Sequence, residues 1–211
     1  MIEKTITERL IDPDYRVRMR TIHILVERGN AEAVLLLLPL LHDREMPVRC
    51  AAIVALGTFA DRRAYEPLVT SLATPISLER KNAVQALVAS GDPRRRDAFL
   101  DALKTEMNTI VRVQLIKAIS VFPEEKVLEI LIEELTNGDE DVRAVAAVAL
   151  GKMGQPQAIP ALQQMALTDT NQETSIHGLA IQNSAIAKQA IQIILHPEQE
   201  QSINWPDITN L

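Results

Sequence analysis

DREMPVRCAAIVALG, residues 43–57, and NGDEDVRAVAAVALG, residues 137–151, are two copies of one pattern. Each carries Val-Arg, then alanines at matching places, then Leu-Gly. Three weaker copies follow the same frame: YRVRMRTIHILV at 15–26, LERKNAVQALV at 78–88 and IVRVQLIKAI at 110–119. The arginines they share, Arg18, Arg49, Arg80, Arg112 and Arg143, recur at intervals of 31, 31, 32 and 31 residues. A fixed period of this length means one supersecondary unit stacked on copies of itself.

Within each copy the apolar positions have helical period. Val48, Ala52, Ile53, Ala55 and Leu56 correspond to Val17, Thr21, Ile22, Ile24 and Leu25 in the first copy and to Val142, Ala146, Ala147, Ala149 and Leu150 in the fifth. This is a second helix, buried on most sides. A first helix precedes it, anchored by Ile6 and Leu10, Leu37 and Leu41, Leu68 and Leu72, Phe99 and Leu103, or Leu131 and Leu135. Short polar links join the two, with Asp14 and Asp139 placed to cap the second helix. Gly, Pro and Asp punctuate the unit boundaries, as at Gly91-Asp92-Pro93 and Gly154-Gln155-Pro156. The expected fold is all-α with no sheet: an α-solenoid, or superhelix, of about six helical hairpins spanning 1–195. The units fall at about 1–29, 30–60, 61–91, 92–122, 123–154 and 155–195. The sixth is aligned on Lys188 and interrupted by an insert at 170–183. A polar C-terminal tail, 196–211, follows and holds the sole tryptophan, Trp205.

Composition sets the limits on function. Aromatics make up 3% of the chain, so the core must be built of aliphatic side chains, which suits close-packed helices. A single cysteine, Cys50, excludes an internal disulfide and a cysteine cluster, and fits a reducing, cytoplasmic setting. The longest apolar run, AVLLLLPLL at 33–41, is too short to span a bilayer. Net charge is −6 and unevenly placed: residues 1–112 carry 17 Lys/Arg against 15 Asp/Glu, residues 113–211 carry 5 against 13. The acidic second half argues against a nucleic-acid partner, which needs clustered cations.

The Asp-x-x-x-Arg step (Asp14/Arg18, Asp139/Arg143, Glu45/Arg49 as a variant) and the Val-Arg-x-Ala-Ala-x-x-Ala-Leu-Gly helix resemble HEAT repeats, specifically the HEAT-like units of the phycobilisome lyase type. The third and fourth copies depart from the pattern, with Ile76 and Asn108 in the acidic place. The resemblance implies that the arginine ladder ties neighbouring repeats together through carboxylates and helix-end carbonyls; the alternative is a row of guanidiniums open to an acidic ligand. It also implies a concave groove lined by the second helices. On helical geometry its exposed positions are one and five residues after each arginine: Met19 and His23, Cys50 and Val54, Lys81 and Gln85, Val113 and Lys117, Ala144 and Val148.

The function so implied is a non-catalytic protein–protein interaction scaffold, with no cofactor, that binds a protein partner in the groove. A phycobiliprotein or a second HEAT-like subunit is the partner the resemblance suggests. Its rivals are a subunit of a bilin (phycocyanobilin) lyase or a phycobilisome-degradation factor, and an assembly factor for an iron–sulfur carrier. In the lyase reading Lys81, Arg112 and Lys117 would meet bilin propionates. A Cys50–His23 nucleophile pair is disfavoured by the spacing of stacked helices. The histidines His42, His177 and His196 have no ligand spacing, so no metal site is expected. The basic clusters Arg62-Arg63 and Arg94-Arg95-Arg96 read as solvated repeat edges or as a dock for an acidic partner.

Overall fold

Among the described residues the repeat period becomes twelve α-helices. They are seen in a computed structural model that describes residues 5–137, 139–168, 173–176, 179–198 and 205. The chain forms two compact units, Met1–Ala102 and Leu103–Leu211. The first holds α1 (Ile6–Leu10), α2 (Tyr15–Arg28), α3 (Ala33–Leu37), α4 (Met46–Phe59), α5 (Tyr65–Ser71), α6 (Ser77–Ser90) and most of α7 (Arg95–Leu103). The second holds α8 (Thr109–Ile119), α9 (Glu125–Glu134), α10 (Glu140–Met153), α11 (Ile159–Thr168) and α12 (Asn183–Leu195). No helix among the described residues is long and apolar enough to cross a membrane.

In the first unit α2, α4 and α6 lie side by side, with α1, α3 and α5 packed on them. The repeated aliphatic positions form the core: Val48, Ala52, Ile53, Ala55 and Leu56 are all buried. The small residues of the signature permit close approach. A Cβ on Gly57 would stand 2.5 Å from the Ala86 Cα, so α4 and α6 meet almost backbone to backbone. In the second unit α10 packs between α8 and α12, with α9 and α11 on the other layer. Gly151 repeats the device against Ala190.

Capping follows the local sequence. Asp14, Asn108 and Asp139 accept hydrogen bonds from the first-turn amides of α2, α8 and α10. Ile76 leaves α6 without a side-chain cap. Gly29, Gly91 and Gly154 close α2, α6 and α10 in the left-handed conformation; α4 ends the same way on Ala60, at φ +50°. Pro39 follows the short α3 and the chain continues as a 3-10 turn over Leu38–His42. The tighter turn shifts the buried face from the expected Leu41 to Leu40.

The fold class is all-α, and the structure is an α-solenoid, with one departure from the sequence reading. Part of the insert pairs as an antiparallel hairpin, β1 (Glu173–Ile176) with β2 (Leu179–Gln182). Thr174, Ile176 and Ile181 are β-branched and favour extended backbone. The register sets Ile176 opposite Leu179, so only residues 177 and 178 link the strands. Four-residue strands give too short a window for a period of two to stand out in sequence. His177, Thr170–Gln172 of the insert, and the tail apart from His196, Pro197, Glu198 and Trp205 lie outside the described residues.

Candidate functional site

The arginine ladder is uniform on one side and varied on the other. In all five repeats Nη1 of the arginine donates to the carbonyl six residues back: Asp12, Asp43, Thr74, Glu106 and Asn137, at 2.6 to 2.9 Å. Each guanidinium therefore satisfies a carbonyl of the link that precedes its own helix. In the first, second and fourth repeats the other edge of the fork grips a carboxylate. Arg18 binds Asp43 through Nε and Nη2, both at 2.7 Å. Arg49 binds Glu79 through Nε at 2.8 Å and Nη2 at 2.7 Å. Arg112 binds Glu134 through Nε at 3.0 Å and through Nη2. All three pairs are largely withdrawn from solvent, and Arg18–Asp43 and Arg112–Glu134 are bidentate, the geometry for which a planar guanidinium is suited.

Burial works against the charge on Asp43. Hydrogen bonds from Arg18 and the Glu45 amide, with the nearby Arg18 and Arg44 charges, outweigh it and hold the carboxyl below its usual range. Sequence reasoning did not single out Glu79 or Glu134. The position before the arginine is Val17, Val48, Val111 and Val142 in four repeats and Glu79 in the third, an acid where a core residue belongs. That break in pattern was the available signal.

The groove positions divide between the two units. In the first, Met19, His23, Cys50 and Val54 line one cleft of about 470 Å³. Ile22 and Val26 of α2, Met46, Ala51 and Thr58 of α4, and Leu78 and Asn82 of α6 complete it. Val54 and Leu78 are 46% and 45% exposed. Lys81 is half-buried and Gln85 exposed. In the second unit the expected open strip is absent. Val113, Ala144 and Val148 are at most 2% exposed, and only Lys117 reaches half-burial. Here α10 is packed between α8 and α12, and β1 also lies against it. Arg112, expected among the cations for bilin propionates, is committed to Glu134 and to the Leu103 and Glu106 carbonyls.

Cys50 is half-buried, with its Sγ 3.6 Å from the thioether of Met46. Burial, and then the charge of Glu79, push its thiol up, against smaller opposing effects of Asn82 and Arg49. A thiol held protonated is a poor nucleophile.

The basic clusters are largely neutralised where they stand. Arg63 folds back on Asp61 at 2.6 Å and also reaches the Ala31 carbonyl. Its hydrogen bonds hold Asp61 down at about 2. Arg94 repeats the fold-back on Asp92 and lies 3.8 Å from the centre of the Tyr65 ring. Trp205 lies against the fifth repeat: its Cη2 is 2.9 Å from the place a Cβ on Gly151 would take.

Helical pairs at a 31-residue period, with an arginine in each second helix bonded to its own link, define a helical-repeat solenoid. The HEAT-repeat family model matches residues 3–88 and 96–180, and the chain belongs to that family. A crystal structure of an engineered protein has the same fold, at 22% identity over 90% of this chain and 95% of that one, with a TM-score of 0.51. Looser likenesses, both at a TM-score of 0.43, are human deoxyhypusine hydroxylase in complex with glycerol and the complex of CpcE and CpcF of phycocyanin lyase from Nostoc. The first is 16% identical over 90% of this chain and 93% of that one; the second is 18% identical over 92% and 96%. No curated protein matches the chain.

Proposed function

We propose that this chain is a non-catalytic protein-binding module whose working surface is the second-helix face of its first unit. The observation that carries the reading is the cleft between α2, α4 and α6. Its volume falls in the range of sites that accept a ligand or an anchoring side chain. Its lining is apolar, yet Val54 and Leu78 remain exposed, and clustered exposed apolar side chains mark interaction surfaces. Met19 and Met46 give it walls that adapt to an incoming group. The raised thiol of Cys50, with a thioether rather than a base beside it, favours binding over chemistry.

The second reading is a bilin lyase subunit or phycobilisome-degradation factor, working on a phycobiliprotein or with a second HEAT-like chain. It rests on the sequence resemblance and is weakened by the commitment of Arg112. An assembly factor for an iron–sulfur carrier is a third reading, with no geometric support of its own.

The test is affinity capture from the source cell with the wild type, with Val54→Arg, and with the boundary pair Arg62→Glu and Arg63→Glu. Val54 is exposed, so its substitution should leave the melting temperature within the small range typical of surface changes, about 0.5 kcal/mol. The expected result is loss of a specific co-purifying protein with Val54→Arg and retention with the boundary pair. The opposite pattern would move the working surface to the repeat edge. A bilin absorption band in the captured material would favour the lyase reading.

A further inference from the structure

The cleft has a chemistry that protein docking does not require. Met19 and His23 stand four residues apart on α2, and Met46 and Cys50 stand four apart on α4. That spacing puts each pair on one helix face, and both faces open on the same cleft. Three sulfur-bearing side chains and an imidazole, from two adjacent helices, therefore line one cleft. Met19, Met46 and Cys50 are half-buried, while His23 is exposed at the rim.

The Cys50 thiol donates to the Met46 thioether, which holds Sγ and Sδ 3.6 Å apart. Two sulfurs that each bind one ion at about 2.3 Å, with an angle between tetrahedral and trigonal, stand roughly 3.8–4.0 Å apart. The observed pair needs only a few tenths of an ångström of adjustment. Met19 occupies on α2 the same repeat position that Cys50 occupies on α4, one residue after the ladder arginine. Its flexible side chain can bring the third sulfur.

Ligand type selects the ion. Thiolate and thioether favour soft cations, whereas carboxylates and carbonyls favour hard ones. Among the described residues no three His, Cys, Asp or Glu side chains gather to hold an ion, so the harder metals have no such set to bind. Glu79, the acid that acts on Cys50, is already paired with Arg49.

We infer that Met19, Met46 and Cys50, with His23 at the rim, form a binding site for one soft monovalent cation of the copper(I) class. On binding, the Cys50 sulfur–hydrogen bond is replaced by a sulfur–metal bond and the proton passes to the buffer. No electron is transferred, and copper enters already reduced. Asn82 lines the same cleft, and its amide can donate to the thiolate so formed. The site shares the cleft of the docking proposal, but its test reads ion binding by the isolated chain and needs no protein partner.

The test is an anaerobic titration of the full chain with copper(I) against a chromophoric copper(I) chelator. Silver(I), which is redox-inert under these conditions, provides a second probe read by thermal shift. One equivalent should bind, with a sulfur-to-copper band in the ultraviolet and a rise in Tm with silver. Cys50→Ser, and separately Met46→Leu, should each weaken binding by at least about tenfold, since losing even an outer partner of a metal site costs this much. Met→Leu keeps the volume, and a far-UV melt shows whether each variant remains folded. His196→Ala should bind as the wild type does. Failure to compete for copper(I) overturns the proposal. So does wild-type affinity in the double variant Met19→Leu with Met46→Leu, which would leave a solitary thiol as the binder.

Discussion

At the scale of the residue, the ladder explains why one arginine survives in each of five otherwise divergent copies. Only a planar fork can donate to the carbonyl six residues back and grip a carboxylate with its other edge. Arg18 and Asp43 are both nearly excluded from solvent, at 5% and 9% side-chain exposure. Asp43→Ala would strand a buried guanidinium and should cost about 3–5 kcal/mol in a denaturant melt. A loss below about 1 kcal/mol would show that the carbonyls of Asp12 and Pro13 suffice.

The same pairs set the acid limit. Asp43 titrates below its ordinary 3.8 in the folded chain, and Asp61 at about 2. A depressed carboxyl adds stability above its unfolded pKa, and that stability is lost as pH falls through the folded value. The urea midpoint should hold down to about pH 4 and fall between about pH 4 and pH 2. A midpoint unchanged across that window would contradict the assignment. The arginines were legible because their period is exposed in the sequence. Glu79 and Glu134 were not, because an acid inside an apolar seam gains its meaning from a partner 30 or 22 residues away.

At the scale of the element, helix starts and stops were largely written in the sequence, and the exceptions have physical causes. Three second helices close on glycine at positive φ, and α4 closes on Ala60, whose Cβ crowds the backbone there. Ala60→Gly should relieve that crowding. Glycine's greater freedom in the unfolded chain takes part of the gain back, leaving about 0.5–1 kcal/mol of added stability. Ala→Gly elsewhere in α4 should destabilise, so the sign at position 60 is the discriminating result of paired melts. The hairpin β1–β2 escaped the sequence reading because eight paired residues in a helical chain give no lasting period. Ala144 and Val148 are buried, although their counterparts Cys50 and Val54 border an accessible cleft. Identical repeat positions therefore differ in exposure, and the repeat alone does not decide it.

At the scale of the whole molecule, the Leu-Gly that closes the repeat signature gives one experiment in each unit. Gly57 and Gly151 hold the same place in the two best copies of the pattern. Added at Gly57, a methyl group meets Ala86 backbone at 2.5 Å, and α6 must move; Gly57→Ala should cost about 1–3 kcal/mol. Added at Gly151, it meets the Trp205 ring at 2.9 Å and Ala190 at 3.0 Å. There the cheaper response is for the ring to leave, since it is a side chain and half-buried. Trp205 is the only tryptophan, so its emission reports on this contact alone. Gly151→Ala should shift that emission to the red and weaken the near-ultraviolet dichroism, with a smaller loss of stability than Gly57→Ala. Gly57→Ala should lower the melting temperature and leave the native tryptophan spectrum unchanged. If Gly151→Ala leaves the emission where it is, Trp205 is not seated on the fifth repeat in solution, and the tail is free to serve as an anchor for a partner.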